Sequence, residues 1–142
     1  MHVESAQVIK APRNKVYAAY TNFTEMPKWS KRIKTVVVVG REGDTVQIQS
    51  ESTSGSGPKV TLAKMTLSSP ELVVSEDETR LTRTRRTVKF EEVSEGTRVT
   101  AMLDVDVKGR WSWVFAPKGR ELAESSSKEG LAAFAQYVES LP

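Results

Sequence analysis

Residues 97–108 read TRVTAMLDVDVK, and this stretch decides the fold class. Every second position carries an apolar side chain: Val99, Ala101, Leu103, Val105 and Val107. Such strict alternation is typical of a strand with one face against the core and the other in solvent. The segment therefore predicts a half-buried strand whose register is set by its own sequence.

Three aromatic residues continue this alternation beyond Gly109. Trp111, Trp113 and Phe115 join the inward face if the chain stays extended as far as Pro117, with a bulge at Gly109. Three interpretations stay open for them: packing in the core, lining an aromatic wall for a planar or lipid-like ligand, or lying outside at a cavity mouth.

Six more strands are predicted upstream, each bounded by turn residues. They cover residues 3–10, 33–39, 45–52, 59–67, 72–75 and 79–93. Their connections are short enough for antiparallel neighbours. Two short helices, over 12–22 and 24–31, interrupt the series after the first strand, and each has a proline in its first turn.

Residues 118–141 predict a long C-terminal helix with two different halves. The second half carries one apolar stripe at Leu131, Phe134, Val138 and Leu141. The first half carries small residues at Ala123, Ser126, Ser127 and Gly130. Small side chains fill little volume beneath a sheet. They indicate either a solvent-facing start to the helix or room for a ligand, and we favour the ligand.

Composition narrows the possible chemistry. The chain of 142 residues is expected to form a single domain over 1–142. It has no cysteine and only one histidine, His2, so thiolate metal sites and histidine-centred catalysis find almost no residues to use. We therefore expect no metal and no cofactor. No secretory signal or membrane-spanning apolar run is visible, which predicts a cytoplasmic protein without integral membrane association.

The stretch 80–89 is rich in arginine and has no cleanly apolar face. We expect most of its arginines to form a solvated outer surface paired with acids on a neighbouring strand, such as Asp104 and Asp106. Nucleic-acid binding through 80–89 is a rival hypothesis. The net charge of +3 and the lack of interleaved aromatic residues argue against it.

Arg86 is the exception within this stretch, because it shares a face with Val88 and Phe90. A buried charge needs a partner. An inward Arg86 would hold the carboxylate or phenolate end of a ligand whose body is apolar.

Seven residues near the start of the chain carry a family resemblance. They are Ile9, Ala11, Pro12, Val16, Tyr17, Pro27 and Trp29. Their spacing resembles the opening of the START-like, or SRPBCC, superfamily, and of its polyketide cyclase/dehydrase-like branch in particular. Asn22 departs from the aspartate usual there, and the segment EGTRVT at 95–100 resembles the turn that opens the last strand.

The resemblance implies an α+β helix-grip fold, in which a seven-stranded curved antiparallel sheet wraps around the long C-terminal helix. It also implies an internal cavity for a lipid, isoprenoid, sterol or polyketide-like molecule. We expect binding or transport of such a hydrophobic ligand. A polyketide cyclase/aromatase-like enzyme is the alternative, although no spacing selects a catalytic residue among Tyr17, Tyr20, Glu51 and an inward arginine.

The predicted ligand site combines residues from the sheet, the long helix and the short-helix region. Trp29 is expected chiefly to anchor the short helices against the sheet and also to reach the cavity rim. The full set of predicted ligand contacts is Trp111, Trp113, Phe115, Trp29, Arg86, Leu103, Ser127 and Gly130.

Overall fold

The computed structural model describes residues 1–54, 57–79, 82–107 and 112–142, with side chains at all of these except 53, 54, 57–59, 107 and 112–119. The elements are β1 (His2–Ile9), α1 (Arg13–Thr21), a 3-10 helix (Phe23–Lys28), β2 (Ile33–Glu42), β3 (Thr45–Ser54), β4 (Gly57–Ser68), β5 (Leu72–Glu78), β6 (Thr82–Val93), β7 (Gly96–Val107) and α2 (Ser112–Ser140). None of the described helices has both the length and the apolar character that a membrane crossing requires.

The strands form one antiparallel sheet with the order β1-β7-β6-β5-β4-β3-β2. Each strand from β2 to β6 pairs with the strand that follows it in the sequence, and β1 pairs with β7. The sheet therefore has two edges, β1 and β2. This architecture confirms the predicted seven-stranded helix-grip fold.

The two faces of the sheet differ as the alternation in β7 predicts. Val99, Ala101 and Leu103 are buried, whereas Arg98 and Asp104 are exposed. Directly opposite residues of antiparallel strands share a face, so the register extends this assignment across the sheet. The face that carries Val99 is called the concave face below, and the other is called the outer face.

Two groups of buried side chains cover the concave face. The C-terminal half of α2 contributes Leu131, Phe134, Ala135 and Val138 to a cluster with α1 and strands β1, β5, β6 and β7. The 3-10 helix contributes Phe23 and Met26 to a second cluster with β2, β3 and β4. The apolar stripe predicted for the long helix is confirmed at Leu131, Phe134 and Val138.

The predicted extended segment after β7 is wrong. The backbone is already helical from Ser112, so α2 begins six residues before the predicted start at 118. Residues two apart do not share a helix face, and the alternation therefore does not place Trp113 beside Phe115. Trp111 and the side chains of Trp113 and Phe115 lie outside the described residues.

Candidate ligand-binding site

The middle of α2 contacts the concave face and also has open space beside it. The hydroxyl oxygens of Ser127 and Ser5 lie 2.5 Å apart, so α2 touches β1 at that point. Phe134, two turns further along, is only 1% exposed. Gly130 lies between these residues on the same helical stripe, and among the described residues no atom outside its own stretch of helix lies within 4 Å of a Cβ position there. The partly exposed Gly130 therefore has room for a side chain.

Two rows of directly opposite residues form the concave face near the Ser127 contact. The first row runs Val73, Val88, Ala101, Ser5, and the second runs Ser75, Arg86, Leu103, Val3. Neighbouring rows on one face lie about 7 Å apart along the strands. The second row therefore brings the predicted residues Arg86 and Leu103 within one row of the point where α2 meets the sheet.

Arg86 faces inward, as the sequence predicts. It shares the concave face with Val88 and Phe90, which are both buried, but its own side chain remains exposed. Arg86 therefore lies on the concave face with its side chain accessible.

Three polar side chains surround Arg86. Asp77 and Thr84 are opposite each other on β5 and β6 and lie on the concave face. Burial raises the pKa of the Asp77 carboxyl, and the opposing effects of the Arg86 charge and a hydrogen bond with Thr84 are smaller. Burial likewise raises the pKa of the Tyr20 hydroxyl, which also feels the Arg86 charge. Arg86 thus shares this part of the concave face with a carboxyl and a phenol whose pKa values burial raises.

Trp29 lies between the 3-10 helix region and α2. Its ring centroid is 4.9 Å from that of Phe134 and 6.2 Å from that of Tyr20. Among the described residues, no group hydrogen-bonds to its buried Nε1. Trp29 thus packs as a structural anchor and also carries a polar atom without a partner.

Five of the predicted ligand contacts lie on elements that pack on the concave face or form it. Ser127 and Gly130 stand on the helix side, Arg86 and Leu103 on the sheet side, and Trp29 at the end nearest Phe134. The parts played by Trp111, Trp113 and Phe115 stay predictions because their side chains lie outside the described residues.

The sequence analysis missed Asp77 and Ser5 as members of this group. It assigned Asp77 to a turn after residue 75, whereas β5 continues to Glu78. The alternation of Val73, Ser75 and Asp77 was the available signal, since it continues one face of the strand. Ser5 gave no signal, because its importance comes from a contact with Ser127, which is 122 positions away.

The remaining described arginines of β6 lie on the outer face, opposite acids. Arg83 is opposite Asp106 and Glu78, and Arg85 is opposite Asp104 and Glu76. The register thus sets these arginines opposite Asp104 and Asp106, as expected, while the ion pair of Arg83 is with Glu78, at 3.5 Å. Charges of both signs alternate across the groove that these residues line, so this surface lacks the uniform basic character that binds nucleic-acid phosphates.

His2 ends the same outer row at the β1 edge. Its Nδ1 lies 2.6 Å from the Asp104 carboxylate, and this hydrogen bond is the main cause of the raised pKa of His2. The described residues contain no group of three or more histidine, cysteine, aspartate or glutamate side chains that could hold a metal ion.

Comparison with known proteins matches the chain to one family. The family model for polyketide cyclase / dehydrase and lipid transport matches residues 1–139. No curated protein matches the chain in sequence.

Solved structures show the same fold at low sequence identity. TTHA0849 from Thermus thermophilus is 18% identical, with a TM-score of 0.86 over 99% of this chain and 98% of that one. A START superfamily protein from Mycobacterium smegmatis is 17% identical, with a TM-score of 0.86 over 99% of both chains. The Zhui aromatase/cyclase from Streptomyces sp. R1128 is 11% identical, with a TM-score of 0.82 over 98% of this chain and 93% of that one.

Proposed function

Because the chain belongs to the polyketide cyclase/dehydrase and lipid transport family, we propose that it binds a hydrophobic small molecule between α2 and the concave face of the sheet. The observation that carries the proposal is the open space beside Gly130, called the gap below, where no described atom outside its own stretch of helix lies within 4 Å of a Cβ position. A ligand that fills this gap replaces the packing contacts that α2 lacks there.

The surroundings of the gap favour a ligand with an apolar body. Leu103 stands opposite Arg86 on the sheet side, and the partly buried Trp29 ring supplies an aromatic wall. Lipids, isoprenoids and polyketide-like molecules share this character. Ligand sites of this kind are mostly apolar, with a few polar groups that fix orientation.

Arg86 indicates that the proposed ligand has an anionic end. Its guanidinium is accessible and inward, and it can donate two parallel hydrogen bonds to a carboxylate or phenolate. Asp77 lies on the same face and interacts with the Arg86 charge, and no ion pair joins the two among the described residues. We therefore expect the protein to prefer an acidic amphiphile over a neutral one of equal length.

Gly130→Leu tests whether the gap is the binding site. The new side chain occupies open space, so the protein should fold while the ligand loses its room. The measurement is thermal shift and native mass spectrometry against fatty acids, isoprenoid quinones and aromatic polyketides. A ligand at a hundredfold excess over its Kd should stabilise the native chain by about 2.7 kcal/mol, and Gly130→Leu should abolish this shift.

Ala132→Leu is the matched control, because Ala132 is exposed on the same helix. It adds similar bulk outside the gap and should leave the ligand-induced shift intact. If no apolar compound stabilises the native chain, or if Gly130→Leu binds as well as Ala132→Leu does, the proposed site is wrong.

Arg86→Gln tests the polar end of the ligand. The ratio of affinities for a fatty acid and for its alcohol should fall about tenfold, since a hydrogen bond to a charged group contributes roughly 1.5–3 kcal/mol. Arg85→Gln is the control, because the preceding residue of β6 faces outward toward Asp104. An unchanged ratio in Arg86→Gln would remove the anionic end from the proposal and leave the apolar site standing.

A cyclase- or aromatase-like activity is the second candidate. The proximity of Tyr20 and Asp77 to Arg86 favours it, since a phenol, a carboxyl and a guanidinium together could orient a poly-ketone chain. Incubation with a poly-ketone substrate surrogate, followed by mass spectrometry, distinguishes turnover from binding. A product that forms in the wild type but not in Tyr20→Phe would establish the enzyme hypothesis.

A further inference from the structure

Strand β2 leaves one edge of the sheet open. It spans ten residues, Ile33–Glu42, and its only strand partner is β3. Three consecutive valines along it are exposed, at 53% for Val37, 40% for Val38 and 51% for Val39. Of the backbone hydrogen bonds outside regular elements, none in the described part of the chain reaches residues 34–42. The edge is therefore long, β-branched and free to pair.

The exposed apolar surface continues from this edge onto the outer face. Val37 is opposite Gln49, which in turn is opposite Leu62. Leu62 and Val60 on β4 are each 62% exposed. Exposed apolar side chains on β2 and β4 thus lie on either side of the exposed Gln49, and an open edge strand beside them is a template for strand pairing.

Charge placement along the chain selects a second copy as the partner. If two β2 strands pair antiparallel about Val38, Lys34 of each copy lies opposite Glu42 of the other. Two-fold symmetry repeats this pair, so two opposite-charge pairs flank a central set of valines.

Neighbouring registers lose this complementarity. A shift of one residue in one direction sets Lys34 opposite Arg41, and a shift in the other direction sets it opposite Gly43. Like charges directly opposite each other destabilise a strand pair. Of these three registers, the one about Val38 is the one that sets Lys34 opposite an acid within β2.

We propose that two copies of the chain form a dimer by antiparallel pairing of their β2 strands about Val38. This interface goes beyond the proposed ligand site, which lies under α2. The pairing with β3 shifts between Ile33 and Thr35 and between Val38 and Gly40. Such bulges bend an edge and discourage extended stacking. A two-fold dimer uses the β2 edge of both copies, so no free β2 edge is left to add a third chain.

A charge reversal tests the dimer and its register together. Sedimentation velocity over a range of protein concentrations should show a reversible dimer in the wild type. Lys34→Glu sets a glutamate opposite Glu42 in both copies and should raise the dimer Kd by about tenfold or more. The double variant Lys34→Glu/Glu42→Lys restores opposite charges and should restore the dimer.

Lys31→Glu is the control, because it makes the same charge change at an exposed residue that lies opposite Thr45 in this register. It should leave the dimer Kd within about twofold of the wild type. A wild type that stays monomeric at every concentration overturns the proposal. So does a dimer that is insensitive to Lys34→Glu, or one that Lys34→Glu breaks and the double variant fails to restore.

Discussion

Gly96 holds the start of β7 against the chain that leaves β1. Its φ of +141° is one that other residues rarely adopt, and a Cβ there would clash with the carbonyl oxygen of Ile9 and lie 3.0 Å from the nitrogen of Ala11. The next residue, Thr97, is fully buried and its hydroxyl donates to the carbonyl of Ala11 at 2.8 Å. The close approach and the hydrogen bond together fix where β7 begins.

Gly96→Ala should therefore destabilise the fold strongly. The alanine is strained by its backbone conformation and by two backbone atoms that cannot move independently, so we expect the free energy of unfolding to fall by about 3 kcal/mol. Gly43→Ala is the comparison: Gly43 also has a positive φ, +58°, but a Cβ there meets nothing within 4 Å. Its cost should be about 1 kcal/mol. Urea unfolding measures both, and equal losses would contradict the role of the close approach.

The sequence predicted the surroundings of some single residues and not of others. The side that Arg86 faces followed from its parity with Val88 and Phe90, and the structure confirms it. The accessible surface of Arg86 could not be predicted, because it depends on where α2 stops covering the sheet. Likewise, the segment at 95–100 resembled a turn, but nothing local to it indicates that Gly96 lies against Ile9.

Strands were easier to predict than the beginning of the long helix. The apolar alternation of β7 runs over many residues, so only a period of two residues fits it. The predicted strand is confirmed. Beyond Gly109 only three aromatic residues extended the pattern, and a set that short fits a helix as well as a strand. The helical backbone from Ser112 shows which of the two periods applies.

The two halves of α2 differ in packing as their composition predicts. Residues 131–140 include four buried side chains, whereas residues 120–129 include none. The small residues Ser127 and Gly130 correctly marked the half that fills less space. Sequence alone could not separate a solvent-facing helix from a helix over a gap. The contact between Ser127 and Ser5 fixes the end of this half of α2 to the sheet, and room for a ligand beside the small residues stays a prediction.

The molecule as a whole combines a solid end and a loosely filled one. At the solid end, Tyr17, Tyr20 and Phe134 join Phe90 and Trp29 in a network of ring contacts. At the other end, Gly130 of α2 has open space where a side chain would stand, and Arg86 of β6 is accessible. Regions with few buried apolar contacts open locally at low free energy. The same arrangement that leaves room for a ligand should therefore make the first half of α2 dynamic.

Hydrogen exchange measured by mass spectrometry tests this division. Without ligand, amides of residues 120–129 should exchange through local opening, and those of 131–138 should exchange much more slowly because their side chains are buried. A ligand at the proposed site supplies the missing contacts. It should then slow exchange in 120–130 well beyond any effect in 131–138, and Gly130→Leu should remove the difference between the two conditions. Ligand protection spread evenly along α2, or centred on the outer face of the sheet, would mean that the ligand binds somewhere other than beneath the first half of α2.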